Sequence, residues 1–273
     1  MAFKIISFGD NIKPGKYKLH SSFKKVENFQ KGSRLVSLVL PEIGPGPNNI
    51  VINRLSRCRQ IEIKEKEIVL ENIRVSNPDS FYVSSARVDI REENIRRRIV
   101  YCVKKLLFLS PPLSMSFVFD SQREKNFSST FEKEMLERMK FGIKCLREGK
   151  TSLGTRSLCG LGFGLTPSGD DFLSGFSLFL SLKEEEKRIK RILSACKSRN
   201  LISYNLLRNS AAGKVEMRVK IFLKSLAYGK LEELDKSMAD VIRRGHSSGA
   251  DFLSGFLLSF FTHDLKKISS KGK

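Results

Sequence analysis

The spacing of hydrophobic and polar residues changes character once along the chain. Up to about residue 88 the apolar residues come in short, β-branched runs. RLVSLVL at 34–40 and NIVIN at 49–53 are two of them, separated by the turn-forming PEIGPGPN. QIEIKEKEIVLENIRV at 60–75 alternates polar and apolar residues at period two across much of its length, the pattern of half-buried antiparallel strands. From Asp89 the apolar positions Ile95, Ile99, Cys102, Val103 and Leu106 fall at three-to-four spacing and predict a helix over 89–109. SPP at 110–112 ends it, because proline lacks a backbone donor and restricts the residue before it. LSMSFVF at 113–119 reads as one further strand, and from about Thr130 the pattern is mostly helical. The expected fold class is α+β. An antiparallel β-rich N-terminal region, 1–88, precedes a mainly α-helical domain, 89–273.

The helical half repeats itself. SGDDFLSGF at 168–176 returns as SGADFLSGF at 248–256, and RMKFGIKCLREGK at 138–150 returns as RVKIFLKSLAYGK at 218–230, both eighty residues on and without a gap. Residues 138–180 and 218–260 are therefore read as two copies of a helical unit related by pseudo-symmetry. In FLSGF the phenylalanines share a helical face, while Ser and Gly beside them let another helix come close. Helix crossing alone accounts for that pentapeptide.

It does not account for GLGFGLTPSGDD at 160–171. Thr166 as N-cap, Pro167 as first helical residue and one acid in the first turn would suffice to start a helix. The additional glycines, Gly162 and Gly164 among them, imply unusual dihedrals or a close approach. A glycine-rich loop feeding a helix start is a ready anion site, with Ser168, Gly169 and Thr166 as binding candidates. No Gly-Lys-Ser/Thr follows the glycines, so it is not a P-loop. Asp170 and Asp171 sit about 100° apart on a helix and need not do the same job. Asp171 recurs as Asp251, whereas Asp170 is replaced by Ala250. This assigns Asp171 and Asp251 to a shared framework that meets across the pseudo-axis, and Asp170 to copy-specific chemistry. If a metal takes part, it is Mg²⁺ held by Asp170, Asp171 and Asp251 and bridging to phosphate. In the second loop His246 stands where Thr166 stands in the first. With Ser247, Ser248 and Asp251 around it, it is a candidate proton carrier beside the candidate catalytic carboxylates Asp170 and Asp171. GPGPNN at 44–49 is read as a rigid hairpin turn, with Asn48 or Asn49 reaching a ligand as the lesser reading.

Composition changes this picture little. Hydrophobic residues at 40% and charged residues at 29% describe a globular chain, and no apolar run approaches the roughly 18–20 residues needed to span a bilayer. The start lacks the features of a secretory signal, so a cytoplasmic location is expected. The five cysteines are scattered and odd in number, which argues against a disulfide framework or structural zinc and for reduced thiols filling core space. The net charge of +21 admits an acidic partner. Basic residues nevertheless run through nearly the whole chain, densest at 91–98, 183–191 and 265–273, and two of these runs mix in acids as solvated helices do. No zinc, helix-turn-helix or RNP-like motif is present, so neither nucleic acid nor membrane is an expected partner.

KGSRLVSLV…GPGPNNIVI near the start, GLGFGLTPSGDDFLSG in the middle and GHSSGADFLSG near the end together resemble the AllH family, which contains a subunit of oxamate carbamoyltransferase. The resemblance in ordering runs from about Lys31 to Phe260. It implies participation in ureide catabolism, where a multi-subunit enzyme interconverts oxalurate and phosphate with oxamate and carbamoyl phosphate. The expected partners are then a small phosphorylated or carbamoylated metabolite and other subunits of the transferase. A non-catalytic assembly or metabolite-sensing subunit is the alternative, and nucleic-acid binding through the basic surface the more distant one.

Overall fold

The computed structural model describes residues 3–270 apart from 66, 72, 77, 79, 80, 91 and 197–199, with side chains described outside 92–94 and 263–270. The chain forms two units, Met1–Ala86 with Lys214–Lys220, and Arg87–Gly213 with Ile221–Lys273.

In the first unit the strands β1 (Ile5–Gly9), β2 (Gly15–Ser22), β3 (Val26–Lys31), β4 (Arg34–Val39), β5 (Asn49–Ile52), β6 (Gln60–Ile63), β7 (Glu67–Leu70), β8 (Ile73–Ser76) and β9 (Phe81–Tyr82) form a single sheet in the order β8-β7-β6-β2-β3-β4-β5-β1-β9. Period-two alternation places Ile61, Ile63, Ile68 and Leu70 on the face that also buries Phe8, Tyr17, Phe29, Leu38 and Ile50. Gly32, at φ 58°, makes the two-residue β3–β4 turn, where Lys31 faces Arg34. The sheet is mainly antiparallel, but β4 pairs with β5, and β1 with β9, in parallel. GPGPNN is therefore not a hairpin turn. It closes a crossover between parallel neighbours, pinned by its own amides: Asn48 Nδ2 donates to Leu35 O and Asn49 Nδ2 to Gly44 O. Turn composition alone cannot distinguish the two connections.

The second unit contains α1 (Glu92–Leu109), two 3₁₀ turns (Met115–Phe119 and Ser121–Asn126), α2 (Thr130–Arg147), α3 (Thr151–Leu158), α4 (Ser168–Leu182), α5 (Glu186–Ala195), α6 (Leu201–Ala211), α7 (Met217–Tyr228, its opening residues grouped with the sheet unit), α8 (Leu231–Ile242) and α9 (Ser248–Ser270). The segment 113–119, read from sequence as a strand, leads into and forms the first 3₁₀ turn, Met115–Phe119. Its serines bond locally instead of leaving the backbone to a ladder: Ser114 Oγ donates to Pro111 O, and Ser110 Oγ to Ser116 Oγ. α3 and α8 begin eighty residues apart, as do α4 and α9.

α4 and α9 cross at the two FLSGF segments. A Cβ at Gly175 would lie 1.9 Å from Phe252 O, and one at Gly255 2.0 Å from Phe172 O, so each helix carries a glycine where the other's backbone comes closest. The neighbouring serines fold back on their own helices, Ser174 Oγ to Asp170 O and Ser254 Oγ to Ala250 O, which satisfies both hydroxyls within their own helix. Phe172, Phe176, Phe179, Phe252 and Phe256 fill the core around it, with Phe179 edge-on to Phe256. Among the described residues no helix is long and apolar enough to cross a membrane.

The expectation of unpaired cysteines requires correction. Cys58, Cys102 and Cys145 are buried free thiols, but Cys159 and Cys196 are joined as a disulfide. They stand 37 residues apart and cap the C-terminal ends of α3 and α5. Helix packing brings them together, and no spacing motif announces it.

Many basic side chains are occupied internally. Arg98 donates to Ser225 O and Gly229 O, Arg188 pairs with Glu185 and stacks over Phe176, and Lys183 donates to Ile90 O. The side chains of the basic run at 265–273, and Arg91 of the run at 91–98, lie outside the described residues.

Candidate functional site

The loop 160–167 and the turn 243–247 deliver α4 and α9 side by side, and the first turns of the two helices meet. Thr166 Oγ1 lies 3.2 Å from Ser248 Oγ. Asp171 faces the hydroxyls of Thr166 and Ser248, while Asp251 faces those of Ser168 and Ser247, so each carboxylate reaches across to the start of the other helix. The meeting of Asp171 and Asp251 is the arrangement anticipated from the repeat.

Both carboxylates are fully buried. Burial raises Asp171 to about 7 against the opposing pull of Arg244, whose Nη2 donates to Asp171 Oδ1 at 3.1 Å. Burial likewise raises Asp251 to about 7, although the Met115 N–H donates to its Oδ1 at 2.6 Å. The charge of Asp171 pushes it further in the same direction. Among the described residues no donor stands in hydrogen-bonding geometry to the buried Oδ2 of either. Two such carboxylates are a place to hold a proton near neutral pH.

Asp170 does something else. Its Oδ1 accepts from Gly160 N–H at 2.7 Å and its Oδ2 from Ser203 Oγ at 2.6 Å, which fastens the foot of the glycine-rich loop to the start of α6. Among the described residues Asp170, Asp171 and Asp251 do not gather three ligand oxygens within 4.8 Å of one another. A set that does meet this distance is Cys159, Asp170 and Cys196.

The helix starts differ from expectation in two respects. Pro167, not Thr166, is the N-cap of α4, and it makes no side-chain cap. Several of the first N–H groups are also occupied. Gly169 N donates to Leu161 O, Asp170 N and Asp171 N to Pro167 O, Gly249 N to Arg244 O and Asp251 N to Ser247 O. Each loop folds back as the cap of its own helix. That is one use of Gly162, at φ 127°, where a Cβ would lie 2.5 Å from Ser168 N. Gly164 is exposed at the loop's outer edge between Phe163 and Leu165, and His246 is exposed on the second turn.

The cation of the site escaped sequence reading. Arg244 bonds Asp171 and Ser248 Oγ, lies over the Phe252 ring and keeps 16% of its side chain exposed. It occupies the position equivalent to Gly164, eighty residues on, so comparing the two copies at the places where they differ would have exposed it.

These features define an α+β protein whose helical unit joins two helix starts over a buried carboxylate pair and an arginine. Residues 158–260, which contain both loops, match the family model described as oxamate carbamoyltransferase subunit AllH, bearing out over that segment the resemblance read from the motifs. The N-terminal strings at 31–39 and 44–52 lie outside the match. No curated protein and no solved structure matches the chain.

Proposed function

We propose that the chain is a subunit of a carbamoyltransferase-type enzyme and that the junction of α4 and α9 binds a small carbamoyl- or phosphate-containing ligand. The observation that carries this is the Asp171–Asp251 pair, raised to about 7 beneath a partly exposed arginine. When phosphate attacks the carbamoyl carbon of oxalurate, the departing oxamate nitrogen needs a proton, and a carboxyl group titrating near neutrality is suited to supply it. Arg244 is the group for a phosphate or carboxylate oxygen. Thr166, Ser168, Ser247 and Ser248 orient the ligand, Gly162, Gly164 and Gly169 shape the loop, Asp170 fixes its foot, and His246 passes the proton to solvent. Mg²⁺, if used, would accompany the phosphate.

The full burial of both carboxylates and the occupied N–H groups favour a second reading, an assembly or metabolite-sensing subunit in which the pair orders the loops without touching the ligand.

Thermal unfolding with carbamoyl phosphate, oxamate, phosphate and Mg²⁺ tests the site. A ligand at about 100 times its dissociation constant adds roughly 2.7 kcal/mol. The shift is expected to vanish in Arg244→Met. A shift that persists there would overturn the site, and no shift with any of these compounds would favour the second reading.

A further inference from the structure

We infer that Cys159 and Cys196 form a redox-reversible disulfide that holds the glycine-rich loop in its folded-back form. The pair lies at the foot of that loop. Cys159 caps α3 and directly precedes Gly160, whose N–H is held by Asp170 Oδ1. Cys196 caps α5, four residues before Asn200, the N-cap of α6. Asn200 in turn donates from Nδ2 to Leu165 O near the far end of the loop, and Ser203 in the first turn of α6 holds the other oxygen of Asp170. The loop is thus tied at its start through Cys159 and Gly160 and near its end through Leu165, and both ties reach the start of α6, whose N-cap stands four residues after Cys196 in the chain.

The chemistry is thiol–disulfide exchange with a dithiol reductant. A reductant thiolate attacks the sulfur of Cys159, the partly exposed residue of the pair, Cys196 being buried. The Cys159–Cys196 bond breaks, and Cys196 leaves as a thiolate and takes a proton. The second reductant thiol then displaces Cys159 as its thiol, so the protein gains two electrons and two protons while the reductant becomes a disulfide. Reoxidation reverses these steps with a small-molecule disulfide as acceptor. With their sulfurs bonded to each other, the two cysteines present no thiolates to a metal, even though Asp170 completes a set of three ligand atoms within 4.8 Å. Regulation of a ligand site by this disulfide rests on the function proposed for the loop. The ordering of the loop does not, and it is read without ligand.

Thiol alkylation and amide hydrogen exchange on the full chain, equilibrated with oxidised glutathione or with dithiothreitol, test the inference. Denatured oxidised protein is expected to present three thiols and reduced protein five. Exchange at 160–166 is expected to rise at least about tenfold on reduction. The double variant Cys159→Ser with Cys196→Ser should show the faster exchange in both buffers. Five thiols in the oxidised protein, or unchanged exchange on reduction, would overturn the inference. So would stoichiometric Co²⁺ binding to the reduced protein with a thiolate charge-transfer band that is lost in Cys196→Ser, since the cluster would then be a metal site.

Discussion

Asp171 and Asp251 should make the protein less stable as the solution turns from mildly acidic to mildly basic. Both carboxyl groups stand at about 7 when folded, against an ordinary value of 3.8. Between those values the folded state holds a proton that the unfolded chain has released, so stability falls as pH rises through the window and levels off above about 7. A shift of about three units, at roughly 1.4 kcal/mol each, puts the loss at about 4 kcal/mol for one carboxyl group by pH 8. Ionising the second beside it costs more, because Asp171 and Asp251 repel each other when both are charged. The assay is urea unfolding at pH 5 and pH 8 on the native chain and on Asp251→Asn, which keeps the shape, removes one titration and leaves Arg244 its partner. Subtracting the variant's pH dependence from that of the native chain cancels the groups that do not interact with Asp251 and leaves its titration together with its coupling to Asp171. Since pH 5 to pH 8 samples only about two units of that window, the native chain is expected to lose about 3 kcal/mol more than the variant between the two pH values. Equal losses, or a native chain that gains stability with pH, would refute the reasoning.

Arg244→Met removes the cation that opposes the raised value of Asp171, so it should destabilise the protein at pH 8 by about 3–5 kcal/mol and much less at pH 5, where the carboxyl group is neutral. Gly175→Ala and Gly255→Ala each force a methyl group within about 2 Å of a backbone carbonyl on the other helix. Each should cost about 1–3 kcal/mol or more, by similar amounts, in denaturant unfolding. Reducing the disulfide, which closes a separation of 37 residues, should lower stability by about 4 kcal/mol in the same assay. Asp170→Ala deprives Gly160 N–H and Ser203 of their shared acceptor and should quicken hydrogen exchange at the loop foot, whereas an alanine in place of exposed Phe163 should leave it unchanged.

Local patterning determined a good deal of this protein. Period-two alternation marked β6, β7 and β8, three-to-four spacing marked α1, and the doubled FLSGF announced a close crossing, because each follows from which face of an element must be buried. The doubled aspartate even forecast which carboxylates would meet. Other features depend on partners distant in the chain. The parallel β4–β5 pairing could not be read from a turn whose composition suits a hairpin equally well. LSMSFVF is strand-like in composition, but its serines bond locally around a 3₁₀ turn. Occupation of the helix-start N–H groups depends on where each loop's carbonyls return. Arg244 is one arginine among many until α9 sets it against Asp171, and Cys159 and Cys196 are unremarkable until α3 and α5 pack. Sequence carries what a residue demands of its own element. The pKa of a carboxylate, the bonding of a thiol and the partner of a cation depend on what the fold brings within a few ångströms, where burial and charge act most strongly.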